Sequence, residues 1–135
     1  MDEEALLVIR RWIKKAEHDL VTASVVLENK PDVTDTVCFH AQQCVEKALK
    51  AYLTLAGVHV EKTHHLLYLL DRCSAILPRF QEIQEHARAL TDYAVEVRYI
   101  DDWRDIPEEE ARSAVALAEE ALAFVKLRLA DEGGL

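Results

Sequence analysis

Apolar residues recur along most of this chain at the three-and-four spacing of a helix, with no convincing run of the two-residue alternation that marks a half-buried strand. At ~100° per residue, Leu6, Ile9, Trp12, Ile13, Ala16, Leu20, Ala23 and Leu27 fall on one stripe, which predicts a first helix over about Glu4–Glu28. Arg10, Arg11, Lys14, Lys15 and His18 fall off that stripe and read as a solvated face. Asn29, Pro31 and Asp32 break the pattern, with Asp32 or Thr34 available to cap the next element. A second helix is predicted over about Asp35–Ala56, stopped at Gly57. Its apolar positions, Val37, Ala41, Cys44, Val45, Ala48, Leu49, Tyr52 and Leu55, cover more than half the circumference. A helix that broad must touch several neighbours, so it is expected at the centre.

Thr63 is placed to cap a short third helix ending near Ser74. Pro78 separates it from a fourth, about Arg79–Val97, with Ile83, Ala87, Leu90 and Ala94 at core spacing. Arg98–Ile106 reads as a loop rich in aromatic and charged residues. Asp105 and Glu108 resemble a capping box opening a fifth helix, with Pro107 tolerated in its first turn. Ala111, Val115, Ala118, Leu122, Val125 and Leu129 form its core stripe, and the tail 131–135 is expected to fray. Short connections between long amphipathic helices imply antiparallel packing. The expected fold is all-α: one domain over residues 1–135, an up-and-down bundle of about five helices.

Composition narrows the functional classes. With 25 acidic against 16 basic residues the formal charge is −9, which argues against the chain as a whole coating a nucleic-acid backbone but leaves a small local RNA site open. Three cysteines, Cys38, Cys44 and Cys73, lack framework spacing and read as reduced thiols of a cytoplasmic protein. His40 and Cys44 stand four apart on the second helix, yet no second ligand pair accompanies them, so no metal site is expected. The opening MDEEALLVIRRW is acidic and lacks a long apolar run, so no signal peptide is expected, and no run approaches the ~20 apolar residues of a membrane span.

Several strings resemble the HEPN domain family, the higher eukaryote and prokaryote nucleotide-binding helical domain. They are Trp12 with Ala16, Asp19 and Leu20; AQQCVEKALKA at Ala41–Ala51; Thr63-His64 with Leu66 and Leu69; and Tyr93 leading to Arg98-Tyr99. The resemblance implies a helical bundle that pairs as a homodimer. It also implies association with a minimal nucleotidyltransferase, sometimes as the toxin of a toxin–antitoxin pair. Ribonuclease members resemble one another in an Arg followed a few positions later by a His. Here Arg98 is followed by Tyr99, Ile100, Asp101, Asp102, Trp103, Arg104 and Asp105, without a His. Arg88 fails too, because His86 precedes it. Metal-independent RNA cleavage needs a proton shuttle near neutral pH, which His supplies and Arg cannot.

The candidate ligand-binding residues are Gln43, Glu46, Lys47, Lys50, His64, Tyr93, Arg98 and Tyr99. Amides suit base edges, Lys50 and Arg98 suit phosphate, Tyr99 suits stacking, and Glu46 can orient a lysine or accept from a ligand. Phe39 projects among the second-helix members, and Gln42 points towards Leu49 and Leu53, where its amide needs a partner. The plain reading of the same surface is a solvated or dimer-facing helix with a Glu46–Lys50 pair. Three functions remain in view. The first is a non-catalytic nucleotide-binding and assembly module needing no cofactor. The second is an endoribonuclease toxin with a rearranged site of Arg98 plus His64 or His65. The third is a structural dimerisation protein.

Overall fold

Residue 2 to residue 94 and residue 104 to residue 135 are described in the computed structural model of the chain. The architecture is all-α: α1 (Glu3–Asn29), α2 (Thr34–Leu55), α3 (Leu66–Ile76), a 3-10 turn (Pro78–Ile83), α4 (Gln84–Leu90), a second 3-10 turn (Thr91–Ala94) and α5 (Glu108–Gly133). No strand occurs among the described residues.

The second helix is central, as its breadth requires. Fourteen of its 22 residues are buried, and α1 and α5 both pack along it. Val37, Ala41, Val45, Ala48 and Leu49 are fully enclosed, beside Ile9, Ala16 and Ala23 from α1 and Ala118, Ala121 and Val125 from α5. An aromatic chain of Tyr52, Phe80 and Phe124 joins α2, the first 3-10 turn and α5, with successive ring centroids 4.5 and 5.2 Å apart. Gly57 stops the second helix in the left-handed region at φ 76°, where a side chain would be strained.

Five local expectations are corrected. Neither Asp32 nor Thr34 caps α2. Val33 holds the cap position without a side-chain bond, and the Thr34 hydroxyl donates instead to the Ile106 carbonyl at 2.7 Å. The third helix starts at Leu66, not after Thr63. His65 is its cap, with Nδ1 accepting from the Tyr68 N–H at 3.2 Å, while the Thr63 oxygen takes the nearer His65 N–H. The predicted fourth helix is broken into 3-10 and α segments. Phe80 and Ile83 are both buried three residues apart, a spacing that 3-10 geometry satisfies directly. Its expected last residues, 95–97, lie outside the described residues. Pro107 precedes α5 without a side-chain cap, because Glu108 pairs with Arg112 at 2.6 Å instead. The tail is also more regular than expected: α5 runs to Gly133 and closes on Gly134 at φ 67°.

Candidate functional site

The most polar part of the bundle is also one of its most enclosed. Glu46 and Lys50 have side chains only 4% and 7% exposed, which corrects the expectation of a solvated i,i+4 pair. A buried carboxylate is tolerated only when its oxygens are matched, and here they are. Glu46 Oε2 accepts from Lys50 Nζ at 3.0 Å. Oε1 meets His64 Nδ1 at 2.9 Å and also lies 3.3 and 3.4 Å from the Gln42 and Gln43 amide nitrogens. Trp12 of α1 covers the same lysine, its ring centroid 5.6 Å from Nζ, a cation–π contact that compensates lost hydration.

Gln42, the amide whose placement needed explanation, is wholly buried. Its nitrogen donates to the His64 carbonyl at 3.0 Å and its oxygen accepts from Gln43 at 2.7 Å. It therefore ties α2 to the chain ahead of α3, and the Thr91 hydroxyl holds that chain from the other side by accepting from the Leu66 N–H at 3.2 Å. His64 is fixed through its carbonyl and its Nδ1, yet its side chain stays 67% exposed.

A second cluster of like design lies on the α1 side. Asp19, buried within the stripe of α1, takes His40 Nδ1 at 2.8 Å on one oxygen and Lys47 on the other. Sequence reasoning named Asp19 only through the family resemblance and missed the role of His40. The signal was available. Asp19 lies between Ala16 and Ala23 on a core-facing stripe, and His40, Gln43, Lys47 and Lys50 follow the three-and-four spacing of one helix face. His40 turns to Asp19 rather than sharing a ligand with Cys44. Burial, then Asp19 nearby, pushes the Cys44 thiol up to about 12, so it is held as a neutral thiol.

The structure thus gathers Gln43, Glu46, Lys47 and Lys50 along α2, with Asp19 and His40 on one side and His64 on the other. Tyr93 stands apart from these residues, beside Cys38, one turn before Gln42. Its hydroxyl donates to Glu110, which also holds Arg104 in a two-pronged contact of 3.0 and 2.5 Å. Arg104 first and Tyr93 second hold the Glu110 carboxyl below its ordinary range. Desolvation, followed by the bond to Glu110, raises the Tyr93 phenol above its own. His65 is engaged as the α3 cap. Arg98 and Tyr99 lie outside the described residues. No group of three or more His, Cys, Asp or Glu side chains suited to a metal occurs among the described residues.

The molecule is a small all-α bundle around a central second helix that carries a buried carboxylate–lysine–imidazole seam. The sequence profile of the HEPN domain matches residues 9–128. The chain belongs to the HEPN domain family. It is similar to "Putative toxin MJ1304" of Methanocaldococcus jannaschii, at 31% identity over 143 residues, covering 92% of this chain and 90% of that protein. Among solved structures it is similar to TT1696 from Thermus thermophilus, with 34% identity and TM-score 0.71 over 90% of this chain and 98% of that one. It is likewise similar to ST0689, an archaeal HEPN homologue, with 27% identity and TM-score 0.71 over 90% of this chain and 97% of that one. No helix of the described residues is long and apolar enough to cross a membrane.

Proposed function

We propose that this chain is the toxin-class half of a toxin–antitoxin-like pair. In this reading it works in the cytoplasm as a homodimeric binding and assembly module, associating with a minimal nucleotidyltransferase and holding a nucleotide rather than cleaving RNA. The observation that carries this reading is the neutrality of the α2 seam. Lys47 is matched by Asp19 and Lys50 by Glu46, so Lys50 fixes the Glu46 carboxylate instead of gripping phosphate. A ligand arriving there meets the Gln43 amide, the exposed edge of His64 and the Phe39 ring. These are hydrogen-bonding and stacking groups suited to a base or ribose. Phosphate is assigned to Arg98, and further stacking to Tyr99, by the sequence pattern. The relative bearing a toxin's name supports the pairing. Co-expression with a small nucleotidyltransferase should yield a complex that co-purifies, and ATP should raise the melting temperature of the chain. An unchanged melting temperature with every nucleotide tested would remove the ligand-binding part.

A second reading, an endoribonuclease using Arg98 with His64 or His65, has one observation in its favour. A buried carboxylate holds the His64 Nδ1, which fixes the ring while most of the side chain stays open to an incoming substrate. Among the described residues His65 has no carboxylate partner, and it caps α3, so His64 is the stronger choice. Expression should then arrest growth and degrade RNA, both lost in His64→Ala. Intact RNA after incubation at several pH values would end this reading.

A further inference from the structure

The solvent side of α1 carries a repeat of its own, separate from the core stripe. Leu7, Arg11, Lys14, His18, Val21 and Val25 follow one another at alternating steps of four and three residues, and all six are exposed. At ~100° per residue they fall within about 80° of one another. The seam they make runs about 27 Å, or about five turns, along the helix. Alternating steps of this kind are the spacing by which one helix seats on another. Four of the seven large apolar side chains that reach solvent among the described residues lie on or beside it. They are Leu7, 46% exposed, Val8, 36%, Val21, 59%, and Val25, 51%.

The seam is aliphatic at both ends and cationic in the middle. Arg11 and Lys14 lie on it, and Arg10 and Lys15 border it at the same level. None of these four has an ion-pair partner among the described residues. Every other described Lys and Arg except Lys30 and Lys62 is paired. In a chain of net charge −9, the unmatched cations are thus gathered on two turns of one helix. A second α1 laid on this seam would bring the cations against their own kind. Nucleic acid fits it poorly too, because its uncharged ends are aliphatic and none of the six side chains offers an aromatic ring on which a base could stack. A helix with carboxylates between aliphatic ends matches both parts of the pattern.

We propose that the outward face of α1 docks an amphipathic helix of a different chain, with Asp or Glu in its central turns and aliphatic residues in its end turns. The carboxylates meet Arg11 and Lys14 on the seam and Arg10 and Lys15 beside it. The aliphatic ends cover Leu7 and Val8 at one end and Val21 and Val25 at the other. Charge placed inside an aliphatic seam weakens docking of an ordinary apolar helix and reserves the site for a partner of opposite sign. The stems of Arg11 and Lys14 still add apolar contact, since long basic side chains pack along their methylenes while the head groups reach outward. This chemistry defines the partner, and the inference does not depend on the nucleotide reading above.

The probe is a labelled three-heptad helical peptide, with Glu at the central seam and flanking positions and Leu at the terminal seam positions. Its binding to the full chain is read by fluorescence anisotropy, with the helicity of every variant checked by circular dichroism. The wild type should bind it, and more weakly as salt is raised. R11E/K14E should weaken binding at least tenfold, and a peptide with Lys in place of Glu should bind that variant and not the wild type. V21E/V25E should also lose at least tenfold, because they remove one aliphatic end without touching the cations. A peptide that fails to bind the wild type, or that binds all variants alike, overturns the proposal. Two other results overturn it by assigning the seam elsewhere: a wild-type dimer that V21E/V25E dissociates, which gives it to a second copy, and RNA binding that R11E/K14E abolishes, which gives it to nucleic acid.

Discussion

Glu46 and Asp19 invite comparison because each accepts from one lysine and one imidazole Nδ1, and they differ in how far their partners can retreat. Around Glu46 the lysine is nearly sealed, with Lys50 only 7% exposed, and two glutamine amides press on the same carboxylate. Around Asp19 both partners keep a route to water, Lys47 being 21% exposed and His40 27%. The enclosed carboxylate joins α2 to the chain before α3; the other joins α2 to α1. Similar contacts therefore carry different liabilities, because a cation that cannot rehydrate makes the loss of its partner far more damaging.

The largest expected effect follows from that asymmetry. Glu46→Ala should destabilise the fold by about 3–5 kcal/mol in urea unfolding, because Lys50 is left buried and unpaired. Adding Lys50→Met should recover most of this, since an apolar chain of similar length suits the same space. A cost below about 1 kcal/mol would mean that Lys50 escapes past Trp12, and the contrast would collapse. Asp19→Ala should cost less, roughly 1–3 kcal/mol, as Lys47 and His40 swing outward. Equal losses at the two sites would break the comparison outright.

The thiols sharpen it at high pH. Burial pushes Cys38 up to about 11 and Cys44 and Cys73 up to about 12, from an ordinary value near 9. Their pKa is raised on folding, so their contribution is complete below about pH 9 and is lost as pH rises towards 11–12. Each thiol should cost up to about 1.4 kcal/mol per pH unit in that window. Urea unfolding from neutral to alkaline pH should show Cys44→Ala declining less steeply than the wild type. Asp19→Asn should let Cys44 ionise at lower pH, because the aspartate charge is the second cause of its shift. The smallest effect belongs to His64→Ala, with stability changed by less than about 1 kcal/mol because the imidazole is mostly in water. Any nucleotide-dependent rise in melting temperature should vanish with it.

Much of the fold was legible in the sequence because burial on a helix repeats with the helix itself. The stripe through Ile9, Ala16 and Ala23, and the breadth of α2 from Val37 to Leu53, follow from spacing alone. The fourth helix was not legible, since Ile83, Ala87 and Leu90 suit α spacing while Phe80 and Ile83 suit a 3-10 turn, and tertiary packing decides between them. The caps failed for a related reason. Thr34 and Glu108 have the chemistry of capping residues, but a carbonyl 72 residues away and an arginine one turn on compete successfully for them. For the site, the residue types on α2 were readable and their burial was not. Polar side chains look solvated until the partners that match them, Trp12, Asp19 and the His64 carbonyl, arrive from distant parts of the chain.

Glu110 binds Tyr93 on one side and Arg104 on the other, so one carboxylate on α5 ties the second 3-10 turn to the residues that lead into its own helix. With that tie in place, the sequence between Tyr93 and Arg104 is free to change in length and content during evolution while the helices hold position, since a longer connection adds little entropic cost. Related chains could thus exchange whatever Arg98 and its neighbours contribute without redesigning the scaffold.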